Sequence, residues 1–279
     1  MSLNKSIKNI NNSNGNSVHG INVNYNDISS RNNNDIKPNN KIKFIDSGIE
    51  YLKNVNLKGS LIVIEGPDAS GRSTQIEKIT AKLESDGHAV INAGLRRSAL
   101  ISEGIIQAKK NFVMGKRTMA LYYAADIADQ IENKIIPALK AGFIVLADRY
   151  IYTLIARSSA RGIDKTWLHE LFSFAIEPDL VFYLDVDPYN LIHRVLKKNY
   201  SLDYYESGLD IGLSNDIFDS FIKYQYMLRK EFEKIRSKYG LINIDGNKDV
   251  HTIYNQIQSK IEEFLKWNKY IIYYIFSIK

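Results

Sequence analysis

A glycine-rich segment, GPDASGRST at residues 66–74, separates two regular stretches of the chain. The apolar run LIVIE at 61–65 predicts a strand before it, and Ile76, Ile79 and Leu83 recur after it at helical spacing. Two glycines separated by four residues let successive N–H groups point at one anion, and the start of a helix adds unsatisfied amides and a positive dipole end. A strand, a glycine-rich turn and a helix therefore predict a loop that binds nucleotide phosphates.

This phosphate loop departs in one position from the usual pattern G-x-x-x-x-G-K-[ST]. Arg72 stands where that pattern has lysine, and Ser73 supplies the hydroxyl expected to hold Mg²⁺. Arginine keeps the charge that meets the β- and γ-phosphates, but its planar fork does not replace an ammonium freely. A loop active in phosphoryl transfer is the favoured interpretation; binding without catalysis and a structural turn are the alternatives. The residues expected to bind the phosphates of ATP are Gly66, Pro67, Asp68, Ala69, Ser70, Gly71, Arg72, Ser73 and Thr74.

The composition excludes several kinds of site. The 279 residues include no cysteine, which excludes disulfides, thiolate metal sites and a cysteine nucleophile. The net charge is +6, with seven Lys and Arg against four Asp and Glu in residues 1–56, and 30 against 27 in residues 57–279. So small an excess favours small-molecule nucleotides over nucleic acid as partners.

The two ends of the chain differ in composition from its centre. Residues 1–40 contain fourteen asparagines, and we expect residues 1–56 to be a disordered extension because few large apolar side chains are available for burial. No signal-peptide core is found there. The apolar run at 270–278 is far shorter than the ~20 residues that span a bilayer. We therefore predict a folded domain at 57–266, an apolar tail at 267–279, no membrane partner and a cytoplasmic location.

Short apolar runs alternate with helical periods from residue 57 onward. Unbroken apolar runs suit parallel strands buried on both faces, and they lie at 61–65, 88–93, 143–147, 180–186 and 241–244. The intervening stretches predict helices at 74–86, 119–140, from 188 onward, 216–239 and 249–266. The pattern predicts an α/β fold, a five-stranded parallel sheet flanked by helices, with ligands at the carboxyl ends of the strands.

Charged residues follow the second and third predicted strands. Asp148 is placed to join the shell of a Mg²⁺ ion near Ser73, and Arg149 beside it to bind a second phosphate. Arg96 and Arg97 add donors at the neighbouring strand end. A helix cap and a structural salt bridge are the alternative for the pair Asp148-Arg149. Three arginines converging on one loop nevertheless indicate an anion between them.

The stretch 199–215 lies between two predicted helices and contains Gly208 and Gly212. It follows Arg194, and the lysines at 197 and 198 stand at its base. A loop of this length suits a lid that closes over a nucleotide and brings a cation to the transferring phosphoryl group. A disordered connector is the alternative.

Three segments of the chain carry a resemblance to a known family: IEGPDASGRSTQ (64–75), LYYAADIADQIENKIIPALKAGFIVLADRYIYT (121–153) and EPDLVFYLDVDP (177–188). With these segments the chain resembles the thymidylate kinases over about residues 59–265. The resemblance implies Mg²⁺- and ATP-dependent transfer of the γ-phosphoryl group to dTMP, giving dTDP, by a homodimer. It also implies that Asp68 meets the acceptor's sugar, that Arg96 and Arg149 hold its phosphate, and that Tyr123 stacks on the base.

Several residues depart from the pattern of that family. Ile127 stands where the family has an arginine that reads thymine, and Arg157-Ser158 replaces a Tyr-Gln pair near the base. A kinase for another nucleoside monophosphate, or an ATP-binding module without catalysis, therefore remains an alternative. The resemblance and the strand-end positions together give Arg72, Arg149 and Arg194 as catalytic residues, and Ser73 and Asp148 as metal-binding residues. The expected acceptor-binding residues are Asp68, Arg96, Arg97, Tyr123, Ile127, Arg149 and Arg157.

Overall fold

Five parallel strands form a single sheet in the computed structural model. The structure describes residues 43–50, 55–111, 114–199 and 201–276, with the side chains of 198–199 and 268–276 excepted. The strands lie in the order β2-β3-β1-β4-β5, and every neighbouring pair is parallel. They are β1 (Ser60–Glu65), β2 (Val90–Gly94), β3 (Ile144–Asp148), β4 (Leu180–Asp185) and β5 (Ile242–Asp245). This confirms the predicted fold class.

Helices cover both faces of the sheet. They are α1 (Arg72–Ser85), α2 (Ser102–Lys110), α3 (Lys116–Gln130), α4 (Ile136–Lys140), α5 (Ile151–Ala160), α6 (Lys165–Leu171), α7 (Pro188–Asn199), α8 (Ile217–Tyr239) and α9 (Val250–Phe276). The single helix predicted over 119–140 is instead α3 and α4 joined by a π-helical turn, Ile131–Ile135. Helix α9 continues past its predicted end at Lys266, so residues 267–276 of the predicted tail are helical.

The central strand β1 carries the core of both faces. Alternate residues of a strand point to opposite sides of a sheet, and all six residues of β1 are buried. Ile62 and Ile64 pack with apolar residues of α1 and α9, whereas Leu61 and Val63 pack with those of α3, α5 and α8. Each fully buried residue of this size contributes about 1.5–3 kcal/mol, so the strand that leads into the phosphate loop is held firmly.

Residues 43–50 belong to the folded body, which differs from the predicted extension over 1–56. Phe44 pairs with Ile176 in an antiparallel bridge, and Ile45 N–H donates to the carbonyl oxygen of Ala175 at 2.9 Å. Phe44 and Ile45 also pack against the apolar core, so this short segment buries apolar side chains. Residues 1–42 lie outside the described part of the chain. Among the described residues, no helix has the length and apolar character to cross a membrane.

Candidate active site

A cavity of about 870 Å³ opens at the carboxyl ends of β1, β2 and β3. Ligand sites have volumes of about 300–1,000 Å³, so a nucleotide fits. Its wall contains the loop residues 68–74, Asp148, the arginines Arg96, Arg97, Arg149 and Arg194, and Lys197. The phosphate loop and the strand-end arginines therefore share one cleft.

The phosphate loop bends where its backbone is left-handed. Gly66 has φ 151° and Gly71 φ 100°, and the intervening Ala69 has φ 61°. A Cβ atom at Gly66 would lie 2.8 Å from Ser70 Oγ, so this position requires glycine. Helix α1 begins directly afterwards, and no side chain caps its N-terminus. The first amides of α1 are therefore available to an anion.

Ser73 and Asp148 contact each other at the edge of the cavity. Ser73 Oγ donates to Asp148 Oδ2 at 3.2 Å, and Arg72 Nε donates to Asp148 Oδ1 at 2.7 Å. Burial acts to raise the pKa of the Asp148 carboxyl, but the Arg72 guanidinium outweighs burial and the net pKa lies below its usual value. A hydroxyl beside a carboxylate is a suitable oxygen pair for Mg²⁺, which takes few protein ligands and keeps several waters. The described residues contain no cluster of three or more acidic or histidine side chains that could enclose a metal.

Asp68 is surrounded by guanidinium groups. Its carboxylate accepts hydrogen bonds from Arg149 Nη2 and, at 2.6 Å, from Arg157 Nη2, and Arg72 Nη2 lies 3.7 Å away. Burial acts to raise the pKa of Asp68, but these three cations hold it well below its usual value. Burial, and the neighbouring Arg72, lower the pKa of Arg149 to about 10. The ionised carboxylate of Asp68 therefore lies at the point where the guanidinium groups of Arg72, Arg149 and Arg157 converge.

Glu65, which is not among the expected site residues, fixes the turn after β3. Its side chain is fully buried and accepts hydrogen bonds from the N–H groups of Tyr150, at 2.9 Å, and Thr153, at 3.3 Å, and from the Thr153 hydroxyl. These bonds cap the start of α5. Arg149 consequently has φ 67° and its side chain points toward the loop. The signal that was available is a charged residue at the end of an otherwise apolar strand.

Asp126 fixes the turn after β2 in the same way, by accepting hydrogen bonds from backbone N–H groups. Its two carboxylate oxygens accept hydrogen bonds from the N–H groups of Arg96, at 2.7 Å, and Ser98, at 2.9 Å. Asp126 has no solvent exposure, and burial raises the pKa of its carboxyl. Arg96 has φ 61° in this turn. A residue of α3, 30 positions along the chain, thus positions Arg96 and Arg97 at the cavity wall.

Tyr123 and Arg157 line a second cavity of only about 20 Å³ between α3 and α5, together with Lys116 and Tyr205. Ile127 does not join them, although it was expected to face the acceptor. It is 1% exposed and packs in the apolar core. Tyr123, which is 5% exposed, packs in the same core, so the part of Ile127 in acceptor binding stays a prediction.

The segment between α7 and α8 packs against the body, and it is not a disordered connector in its described part. Arg161 of α5 donates from Nη2 to the carbonyl oxygen of Tyr205 at 2.7 Å and from Nε to Asp210 Oδ2 at 2.7 Å. It also donates to the Tyr224 hydroxyl of α8. A short 3₁₀ turn, Leu209–Ile211, lies within the segment. This segment is called the lid below.

Glu206 brings the lid into contact with the phosphate loop. Its carboxyl shares a hydrogen bond with Asp68, and burial together with the charge of Asp68 raises the pKa of Glu206 to about 7. Lys109 lies 3.9 Å from the carboxylate of Glu206.

Two of the cations expected at the base of the lid line the large cavity, Arg194 and Lys197. Arg194 donates to the carbonyl oxygen of Gly246 at 2.9 Å. The side chain of residue 198 lies outside the described part.

Comparison with known proteins gives a consistent result. The family described as thymidylate kinase matches residues 64–257. The chain is 33% identical over 210 residues to probable thymidylate kinase 2 of Saccharolobus solfataricus, covering 75% of this chain and 98% of the relative. It is 31% identical over 217 residues to a probable thymidylate kinase of Thermococcus kodakarensis, with 73% and 98% covered. It is 33% identical over 211 residues to the thymidylate kinase of Thermosipho africanus, with 74% and 98% covered.

Proposed function

The chain belongs to the thymidylate kinase family, and on that premise we propose that it transfers the γ-phosphoryl group of ATP to dTMP, giving dTDP and ADP. The observation that carries this proposal is the single cavity of about 870 Å³ in which the loop 68–74 meets Arg96, Arg149 and Arg194. Two polyanions must lie end to end for the transfer, and one cleft lined by amides and guanidinium groups suits both.

The donor side of this proposal consists of the loop and its metal-binding pair. The amides of Gly66–Thr74 and the first turn of α1 bind the β- and γ-phosphates, and Arg72 adds positive charge from within the loop. Ser73 and Asp148, 3.2 Å apart, hold the Mg²⁺ ion. When bound, that ion neutralises charge on the donor's phosphates. Arg194 approaches from the base of the lid.

The acceptor side consists of the strand-end arginines and of Tyr123 and Arg157 at the smaller cavity, which at about 20 Å³ has to widen to admit a base. Arg96, Arg97 and Arg149 bind the phosphate of dTMP, and Asp68 and Arg157 lie at its sugar. Tyr123 stacks on the base. Catalysis then consists of in-line positioning and electrostatic stabilisation of the transferring group, and no general base is required. Arg149 lies between the two sides, because it contacts Asp68 and the carbonyl oxygen of Gly66.

Three further properties complete the proposal. The family resemblance supports a homodimer acting in the cytoplasm on free nucleotides, without a nucleic-acid partner. The exposed apolar residues Leu121 and Tyr122 of α3 are suited to a contact between two copies. Light scattering on purified protein tests the dimer directly, and a monomer at micromolar concentration would contradict it.

The activity is tested by measuring ADP release with ATP, Mg²⁺ and each common nucleoside monophosphate in turn. We expect turnover with dTMP that far exceeds turnover with the others. Turnover with a different monophosphate and none with dTMP would contradict the acceptor assignment. ATP-dependent thermal stabilisation without turnover on any acceptor would contradict the enzyme assignment and leave a nucleotide-binding protein.

A further inference from the structure

The side chain of Arg72 is turned inward beneath the phosphate loop. Only 7% of the residue is exposed, although it opens helix α1 at the edge of the large cavity. Its Nη1 atom donates to the carbonyl oxygens of Gly66, at 2.6 Å, and Pro67, and lies 3.3 Å from Ser70 Oγ. Its Nε atom donates to Asp148 Oδ1 at 2.7 Å. Arg72 therefore joins the start of the loop to the end of β3.

This set of contacts depends on the shape of a guanidinium group. Arginine presents five N–H donors in a rigid plane, whereas lysine presents three donors from one atom on a flexible stem. The donors of Arg72 that meet Asp148 lie on a different edge of the plane from those that meet the carbonyl oxygens of Gly66 and Pro67. A lysine has a single nitrogen and cannot reproduce donors on two edges of a plane. The substitution in the phosphate-loop pattern therefore changes which atoms the residue binds.

The contacts also affect what the loop offers to a phosphate. Carbonyl oxygens carry partial negative charge and would repel an incoming polyanion. In this structure Arg72 binds the carbonyl oxygens of Gly66 and Pro67 from beneath the loop, and the amides of the first turn of α1 have no capping side chain. Asp148, held by the same guanidinium, is kept 3.2 Å from Ser73 Oγ.

We propose that Arg72 is a positioning residue, which holds the carbonyl oxygens of Gly66 and Pro67 and the carboxylate of Asp148 in their working arrangement and does not itself bind the phosphates of ATP. This inference rests on the proposed function and refines the role expected from the charge of Arg72 alone. The cations that meet the phosphates are then Arg149, Arg194 and Lys197, which line the same cavity.

Two substitutions at position 72 and one control separate the two roles. Arg72→Lys installs the residue that phosphate loops usually have here, and Arg72→Gln removes the charge. Lys78→Gln removes the same charge from the same helix, further from the loop. For each protein we would measure Tm, kcat with dTMP, and the Kd values of Mg-ATP and Mg-ADP.

If Arg72 is a positioning residue, a lysine at this position will not restore wild-type stability or activity. Both substitutions at position 72 should lower Tm and reduce kcat by on the order of 10²-fold, the typical effect of a misplacement of about 1 Å in an active site. Because both nucleotides need the arranged loop, their Kd values should rise by the same factor, and the ratio of the two should stay within about threefold of wild type. Lys78→Gln should retain wild-type kinetics.

Direct phosphate binding gives the opposite results. Wild-type kcat in Arg72→Lys with a large loss in Arg72→Gln would overturn the proposal, and so would a selective loss of ATP over ADP binding, or unchanged kinetics in both variants. Failure of either variant to fold while Lys78→Gln folds would support the proposal, because a contact made only to bound phosphate does not stabilise the free protein. Absence of dTMP turnover in the wild type would refute the proposed function instead, and the two Kd values would still decide the role of Arg72.

Discussion

The contact between the lid and the phosphate loop makes the stability of the protein depend on pH. Glu206 of the lid is hydrogen-bonded to Asp68, and Arg157 and Lys109 also face its carboxyl. Burial, followed by the charge of Asp68, raises the pKa of Glu206 to about 7 from the ordinary value of 4.5. We expect Glu206→Gln, which keeps the shape and can still donate to Asp68, to remove this pH dependence.

The expected magnitude follows from the two pKa values. The folded state holds a proton on Glu206 that the unfolded chain releases near pH 4.5, so the free energy of unfolding falls as the pH rises from there through about 7. A difference between 4.5 and about 7 corresponds to a loss on the order of 3 kcal/mol, with a slope of at most about 1.4 kcal/mol per pH unit. The pKa of Asp68 is displaced downward, so its own contribution changes at lower pH and does not overlap this window.

The assay is urea unfolding of wild type and Glu206→Gln at about half-unit steps between roughly pH 5 and 8. The difference in unfolding free energy between the two proteins should change steadily across this range and level off above it. Glu103→Gln, which removes an exposed glutamate of α2 that does not line the large cavity, should reproduce the wild-type curve. A difference between wild type and Glu206→Gln that is constant with pH would refute the reasoning, because it would mean that Glu206 titrates alike in the folded and unfolded chains.

Three further substitutions test other parts of the structure. Gly94→Ala places a Cβ atom against the carbonyl oxygen of Asp148 at a φ of 135°, and thermal unfolding should show a loss of about 1–3 kcal/mol. Ile127→Ala should lower the unfolding free energy by about 2–5 kcal/mol and leave the KM for dTMP unchanged; a raised KM would return Ile127 to the acceptor site. Arg161→Lys removes the bonds that hold the carbonyl oxygen of Tyr205 and Asp210, and steady-state kinetics should show KM for dTMP raised by about tenfold or more, whereas an unchanged KM would exclude a part for this anchor in substrate binding.

The sequence was sufficient to predict the sheet and the strand, turn and helix around residues 66–74, because both depend on patterns among neighbouring residues. Five apolar runs predicted five parallel strands, and the structure confirms them. The end of α9 was predicted less well, because the residues after Lys266 lack the regular polar face that the earlier turns of the helix have. The break in 119–140 was missed for a similar reason, since a π-helical turn inserts one residue without interrupting the apolar pattern.

The two buried carboxylates that hold the turns of the site, Glu65 and Asp126, could not be predicted because their hydrogen-bond partners are distant in the chain. Glu65 is bonded to residues 85 and 88 positions away, and Asp126 to residues 28 and 30 positions away. The apolar strand before Glu65 signals that this carboxylate is unusual, but nothing near Glu65 or Asp126 in the sequence reveals which turn each will cap. The spacing of Ile127 from Tyr123 predicts a shared face of α3, and both side chains pack in the same apolar core. Whether Ile127 also contacts the acceptor stays a prediction.

Arg96 and Arg149 have left-handed backbones, with φ of 61° and 67°. This geometry lowers the stability of the folded protein at two positions whose charge we propose is needed for activity. An L-residue with a Cβ atom is disfavoured in that region by roughly 1–2 kcal/mol, whereas glycine is not. A laboratory selection of random variants for heat resistance alone would therefore enrich glycine at the exposed position 96, and the survivors would lack a guanidinium group that we propose binds the acceptor's phosphate. Arg149 would resist this exchange, because its buried side chain is bonded to Asp68. Engineering campaigns on this enzyme have to select for turnover and heat resistance together.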